Sequence, residues 1–370
     1  MKAAVTIARI LTGLLFIFSG LVKAIDPRGL AYKMQEFFEA WAHDGFLPGL
    51  MNNLNDYALG FSIGMITLEV VLGAALLLGW QKKITTWILL LLIIFFTFLT
   101  SYVLFSGKIR ACGCFGDCIP LTPVQTFTKD IILLIFAIFL LLQRKYINPL
   151  AKPLIATIYI LVITLATLFL QYQVLKHLPF VDCLPYKKGN NILKLREMPA
   201  DAVQDKFEYL FVYEKNGEKK DFAVSALPDS TWKFVDRKQK LIQKGKNNVP
   251  LINDFSFSTA SGNDTTADIL GQQGTYYLLF IKDLQGYPGK GWDGDIRAIR
   301  KIQEQKSTIY IITAQRKDVE SRFSNHSAIP IFTCDGTAIK TAARANPVIF
   351  KMEGPVVKGK WSWADFDKIQ

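Results

Sequence analysis

The chain has 370 residues, with 43 Lys plus Arg against 31 Asp plus Glu, a net charge of +12 and 51% hydrophobic residues. Its charge is unevenly divided: residues 1–175 hold 13 basic and 8 acidic residues, residues 176–370 hold 30 and 23. The first half is too apolar for a soluble domain and the second too charged for a membrane; no basic-aromatic motif supports nucleic acid as a partner, whereas the positive excess suits membrane lipid headgroups.

A spanning helix needs about 20 apolar residues. Five segments qualify: Val5 to Ile25, Tyr57 to Gly79, Ile84 to Phe105, Phe127 to Leu142 and Pro153 to Leu175. The fourth is the shortest, and its start could lie as far back as Thr122. The first is followed by Asp26-Pro27-Arg28 rather than by a small-x-small cleavage site, so it reads as an uncleaved helix. Lys2 and Arg9, Lys82 and Lys83, and Arg144, Lys145 and Lys152 fall on one side of the bundle. Basic turns favour the cytoplasm. The expectation is a membrane protein with a cytoplasmic N-terminus and everything after residue 176 on the outer side.

The loop of residues 26–56 carries Met34, Phe37, Phe38 and Trp41 at helical spacing. That pattern suits an amphipathic helix in the outer interface or a lid on the bundle. Within the spans, Glu69 lies near the middle of the second helix. A carboxylate at that depth is costly and faces the bundle interior. It could relay protons, hydrogen-bond a quinone headgroup, or pack in protonated form. Lys23 is close enough to the outer end of the first helix to snorkel to the headgroups. Asp130 is expected to complement the dipole at the start of the fourth span.

The loop before that span reads Cys112-Gly113-Cys114-Phe115-Gly116-Asp117-Cys118. Three readings fit three thiols in seven residues. One is thiol-disulfide exchange, with Cys112 and Cys114 as a strained, labile pair and Cys118 or Cys183 resolving it. Another is a structural disulfide, with Cys183 as a possible partner. The third is a metal site, but three cysteines are one short of a closed zinc or iron-sulfur site and the spacing matches no common pattern, so no metal is expected. Five cysteines leave at least one thiol over, and Cys334 lies far off in the second half.

Beyond the spans, residues 177–263 read as a tether with a small β segment. Phe207 to Tyr213 and Phe222 to Leu227 flank an Asn216-Gly217 turn as a hairpin, and Ser230 to Lys240 reads as exposed and charged. Residues 264–370 alternate buried-type strands with helices: Tyr276 to Ile281, a helix with Ile296, Ile299 and Ile302, and a strand at Thr308 to Thr313. A short helix, a brief strand and a helix lead to Asn346-Pro347, then to two strands around Glu353-Gly354. The fold class is a membrane α-helical bundle of about five transmembrane helices plus a soluble α/β domain.

The order from residue 264 onward resembles a thioredoxin fold. Asn346-Pro347 matches the place of its cis-proline, and the resemblance implies a binding groove beside Pro347 and Asn346. One departure is decisive: the stretch Gly286-Tyr287-Pro288-Gly289-Lys290-Gly291-Trp292 has no Cys-x-x-Cys. The domain therefore resembles a redox-dead thioredoxin that docks other proteins.

Residues 1–145 resemble the DoxX and MauE-like group of small membrane proteins. The matching residues are Ala8-Arg9-Ile10, Phe18-Ser19-Gly20-Leu21-Val22-Lys23, Asp26-Pro27, Glu69 with Gly73, and Cys112 to Asp117. The fusion resembles DoxX-type proteins of Bacteroidota, and that resemblance implies a bacterial inner membrane with the C-terminal domain in the periplasm. The resemblance implies electron transfer from sulfur compounds to quinone, or disulfide formation in periplasmic proteins. The function expected is thus a thiol-disulfide or electron-transfer component with Cys112, Cys114, Cys118 and Glu69 at its site, a quinone as acceptor and periplasmic thiol proteins as partners. The alternative is a non-enzymatic anchor whose degenerate thioredoxin-like domain docks periplasmic proteins.

Overall fold

A computed structural model describes the chain except residues 110–111, 114, 244, 290–291, 325–328 and 370. Among the described residues the first half forms seven α-helices: α1 (Lys2–Ala24), α2 (Pro27–His43), α3 (Pro48–Asp56), α4 (Ala58–Leu78), α5 (Lys82–Ser106), α6 (Pro123–Leu142) and α7 (Pro153–His177). Of these, α1, α4, α5, α6 and α7 are long and apolar enough to cross a membrane. Helix α6 begins at Pro123 because Thr122 and Gln125 make a reciprocal capping box. Asp130 therefore lies two turns inside the helix rather than in its first turn. It is buried, accepting from Lys129 at 2.5 Å and Thr100 at 3.1 Å, so the expected dipole role gives way to an ion pair.

Helices α1 and α4 pack through glycines. A Cβ on Gly73 would lie 2.7 Å from the Gly13 carbonyl oxygen, and one on Gly20 would lie 2.5 Å from Val70 Cγ2. Small residues let membrane helices approach where lipid offers no hydrophobic driving force between them. At one end of this pair Arg9 donates to the carbonyls of Leu76 and Asn148, each at 2.8 Å, and to that of Leu77. It satisfies the orphan carbonyls at the C-terminus of α4. Helix α2 buries Leu30, Met34, Phe37 and Phe38 against the bundle, while Phe46, Leu47 and Leu50 at its turn into α3 stay exposed. Of the two readings of this loop, packing as a lid describes α2.

The second half begins with α8 (Ile192–Arg196). Strands β1 (Lys206–Lys215), β2 (Glu218–Ala223) and β3 (Lys233–Gln243) make an antiparallel sheet in the order β2-β1-β3. Asn216 and Gly217 both take positive φ at the hairpin, as a type I′ turn requires. The stretch expected to be exposed and charged is so, and from Lys233 it also forms β3, paired with β1 from Lys206 to Glu214. Every residue of β3 is exposed, so it has no inward face and no alternation marks it as a strand.

The remaining elements are α9 (Thr266–Gly271), β4 (Thr275–Ile281), α10 (Gly294–Glu304), β5 (Thr308–Thr313), α11 (Arg316–Arg322), β6 (Ile331–Thr333), α12 (Gly336–Ala343), β7 (Val348–Glu353), β8 (Val356–Ser362) and a closing 3-10 turn, Trp363–Lys368. The five strands run in the order β6-β5-β4-β7-β8; β4, β5 and β6 are parallel, β7 and β8 antiparallel. Strand β4 is buried on both faces. Tyr276, Leu278 and Phe280 join one core and Tyr277, Leu279 and Ile281 the other. The first core also takes Leu184, Tyr186, Ile192, Phe255 and Phe257 from well before residue 264. Gly189 and Ile192 donate to Val357 and Pro355, anchoring this upstream segment along β8. The three-stranded sheet is thus an excursion between two stretches that pack in one core.

Candidate functional site: the cysteine loop, a buried ion pair and the cleft above them

The close approach of α1 and α4 brings Lys23 and Glu69 together. Lys23 Nζ lies 2.5 Å from Glu69 Oε2, with both side chains almost wholly buried. Ser19 Oγ accepts from the same ammonium at 3.1 Å, and the Phe96 ring centroid lies 4.9 Å away. Lys23 therefore does not snorkel to the headgroups as its position suggested. Instead it pairs inside the bundle, where each charge offsets part of the cost of burying the other.

The loop between α5 and α6 folds down over this pair. Gly113 and Gly116 take positive φ, which lets the loop turn back on itself. Phe115 packs against Phe18 of α1 with ring centroids 6.0 Å apart. Cys112 is 6% exposed and packs with Leu30, Met34 and Leu99. A narrow apolar crevice has both Cys112 and Lys23 in its wall, together with Phe61, Phe95 and Phe96. Cys114 lies outside the described residues.

Cys118 and Cys183 form a disulfide with Cα atoms 4.9 Å apart, closing 65 residues of sequence. It ties the loop to the segment that follows α7. The same face carries a cleft of about 800 Å³ between the bundle and the α/β domain. Cys183, Lys33, Glu36, Asp117 and Arg344 are among the residues that line it. Arg344 is the latch of this cleft. It donates from Nε to Asp26 Oδ2 at 2.7 Å and from Nη2 to Asp117 Oδ2 at 2.5 Å. The other oxygen of Asp26 caps α2 by accepting from Gly29 N at 3.0 Å. Further along the interface, Lys360 pairs with Asp182 at 2.6 Å, and Ser362 Oγ donates to the Lys176 carbonyl at 2.5 Å. His177 Nδ1 meets both carboxylate oxygens of Asp365 at 3.0 Å. Burial pushes the Lys360 ammonium below its ordinary value, with Asp182 opposing that shift.

The peptide bond between Asn346 and Pro347 is cis. Both residues are buried. The Asn346 side chain is used within the domain: its Nδ2 donates to Asp283 O at 2.7 Å and its Oδ1 accepts from Lys282 N at 3.0 Å. The cis-proline end of the sheet is also the end turned toward the bundle, since Arg344 and Ser362 both make bundle contacts there. Cys334 is buried in the first core of the domain, and burial pushes its thiol up to about 12. It takes no part in the cleft lining. Among the described residues no group of three or more His, Cys, Asp or Glu side chains is arranged to hold a metal.

Sequence reasoning missed the Lys23 pairing and the Arg344 latch. The signals were partial: Lys23, Asp26 and Asp117 all stand in the segments that carry the family resemblance. Nothing around Arg344 marks it, because its role comes from sitting in the left-handed cap after α12.

Residues 1–143 match the family of the methylamine utilisation protein MauE. Residues 207–244, spanning most of the three-stranded sheet, match a domain of unknown function. Protein TlpB of Flavobacterium psychrophilum is 34% identical over 139 residues, which cover 36% of this chain and 36% of that protein. The chain thus aligns with about a third of the length of that relative. No solved structure matches. The likeness to MauE rests in residues 1–143, and the chain as a whole is a membrane protein whose helical bundle carries a C-terminal α/β domain.

Proposed function

We propose that the chain is an envelope thiol-disulfide component that passes electrons from protein thiols to a quinone-class acceptor in the membrane. The observation that carries this reading is the division of one short loop. It places Cys112 in a crevice with Lys23 of the buried ion pair, and ties Cys118 to Cys183 at the rim of the open cleft. A client dithiol entering the cleft reduces the Cys118–Cys183 disulfide and leaves as a disulfide. Exchange with an oxidised Cys112–Cys114 pair restores Cys118–Cys183 and leaves two thiols on Cys112 and Cys114. Their two electrons and two protons pass to the quinone, which is reduced to quinol. In this reading Glu69, paired with Lys23 of the crevice wall, hydrogen-bonds the acceptor or carries a proton.

The orientation that fits is a cytoplasmic N-terminus and a periplasmic α/β domain. The disulfide lies on the face that carries the domain, as an oxidising compartment favours. The basic turns around Lys82 and Arg144 lie at the far end, beside Arg9. The domain resembles a thioredoxin fold in its cis-proline and strand order, and without Cys-x-x-Cys it serves as the wall of the client cleft. With Asn346 and Pro347 buried, a client meets the cleft rather than a groove at those residues. The alternative, an anchor whose cysteines only staple the loop, draws support from the same missing motif and predicts loop cysteines that never cycle.

Alkylation trapping in native membranes, followed by peptide mapping, separates the two. The redox reading expects the loop cysteines to shift between oxidised and reduced states with the quinone pool. It also expects Cys112→Ser with Cys114→Ser to leave envelope thiols more reduced. Loop cysteines fixed in one state, with envelope thiols unchanged in that variant, would sink the redox reading and leave the anchor.

A further inference from the structure

A second cavity, of about 500 Å³, opens where the outer end of α7 meets α10 and the closing turn of the α/β domain. Its walls carry three cations, Lys176, Arg297 and Lys301, against the carboxylate of Asp367. Trp292 forms the aromatic wall, with Trp363 at 6.2 Å and Phe366 at 6.0 Å between ring centroids. The indole is held in place: a Cβ at Gly294 would lie 2.3 Å from the Trp292 ring, so only glycine there allows it to fold over the first turn of α10. Lys301 Nζ is held at the rim by the Asp367 carbonyl at 3.2 Å. Asp365, a neighbouring acid in the turn, is neutralised by Lys368 and meets the His177 ring, and Asp295 is neutralised by Arg322. The cavity therefore keeps a positive balance.

Its position says what fills it. Leu165, Phe169, Tyr172 and Lys176 are spaced by four, three and four residues, which puts them in one row along α7. The first three are exposed at 57%, 63% and 57%, so this row faces lipid. Lys176 stands at the top of the row, its Nζ 5.8 Å from the Tyr172 ring, and lines the cavity. From Leu165 to Lys176 the helix rises about 16 Å, close to the depth of one leaflet of a hydrocarbon core about 30 Å thick. Aromatic side chains flanked by cations are also what a membrane-water interface selects. An acyl chain lying along this row delivers its headgroup into the basic, Trp-walled cavity.

We propose that this cavity binds the phosphate headgroup of an anionic glycerophospholipid from the leaflet in which the α/β domain rests. The site uses none of the cysteines and stands whether or not the redox reading does. It also gives the domain a footing on the membrane beside its polar latch on the bundle.

Native mass spectrometry of the full chain in detergent tests it, with phosphatidylglycerol and phosphatidylethanolamine of matched acyl chains supplied together. Wild type should retain phosphatidylglycerol selectively. Arg297→Gln with Lys176→Gln should lower that preference about fivefold for each cation removed. Both substitutions spare the backbone bond from Ser362 to Lys176, so the domain stays docked. Lys233→Gln with Lys240→Gln, on the exposed strand β3, should change nothing. An equal loss in that control would assign the preference to net charge and overturn the site. So would an unchanged preference in the cavity variant. Displacement of the lipid by equimolar glycerol 3-phosphate would show that the acyl row contributes nothing, and would replace the lipid by a soluble phosphate.

Discussion

Removing one member of the Lys23–Glu69 pair tests whether it is a paired charge at all. Glu69→Leu leaves an ammonium 3% exposed inside the bundle, with Ser19 Oγ at 3.1 Å and the Phe96 ring at 4.9 Å as its remaining partners. Breaking a buried pair this way costs about 3–5 kcal/mol. The hydroxyl and the ring already hold part of the ammonium's solvation, which places this case near the lower figure. Lys23→Met together with Glu69→Leu removes both charges and fills the space with apolar volume. Replacements of that kind are close to neutral or stabilising. With the doubly apolar protein near wild type, the coupling in a double-mutant cycle equals the sum of the two single losses, at least about 3 kcal/mol. The measurement is reversible unfolding of the four proteins in mixed micelles with rising SDS, read by far-UV circular dichroism. A double variant destabilised by the sum of the two singles, within about 0.5 kcal/mol, would refute the pair. A double variant that is stable yet no longer cycles its loop thiols would show that the charges are kept for electron transfer rather than for folding.

Two further outcomes follow from the α/β domain. Cys334, buried and with its thiol pushed up to about 12, should resist iodoacetamide at pH 8 in the folded chain and react once the domain is denatured; rapid labelling by peptide mapping of the native protein would contradict its place in the core. Burial alone would raise the Asp365 carboxyl, but Lys368 and His177 outweigh it and hold it below the usual carboxylate range. Its contribution to stability is then complete above that range and lost as pH falls through the lowered value. Melting of wild type and Asp365→Asn should differ at neutral pH, begin to converge as pH falls below about 4 and meet only under the lowered value; a gap that does not narrow with falling pH would show that the contact is not ionic.

The spans were legible because a bilayer forces backbone groups to pair within the segment, and only a long apolar helix does that. Their starts were less legible: Thr122 caps α6 through a side chain that hydropathy does not weigh. The hairpin was marked by Asn216-Gly217, whose turn chemistry is local. Strand β3 was not, because a strand exposed on both faces carries no period. The core contributions of Leu184 and Tyr186 were hidden for another reason. They pack with Phe255, Phe257 and Phe280 across the excursion through the three-stranded sheet. Helix-to-helix register is likewise set by packing, so the sequence placed Glu69 inside the bundle and left its partner Lys23 at the surface.

The pieces that sequence could not join are the ones that connect the two halves. Asp26 caps α2 with one oxygen and takes Arg344 with the other. Arg344 reaches on to Asp117, the residue before Cys118. Cys118 is bonded to Cys183. Asp182 beside it holds Lys360 of β8, and Leu184 on its other side enters the domain core. Apart from Leu184, each link is polar or covalent, so it does not depend on matching two apolar faces, and together they close a circuit from the lid helix through the cysteine loop into the α/β domain and back. The loop that buries Cys112 is thereby clamped at both its carboxylate and its disulfide. In the proposed cycle, reduction of Cys118–Cys183 would open one clamp and leave the Arg344 pair holding the other, keeping the loop over the ion pair while its cysteines change partners.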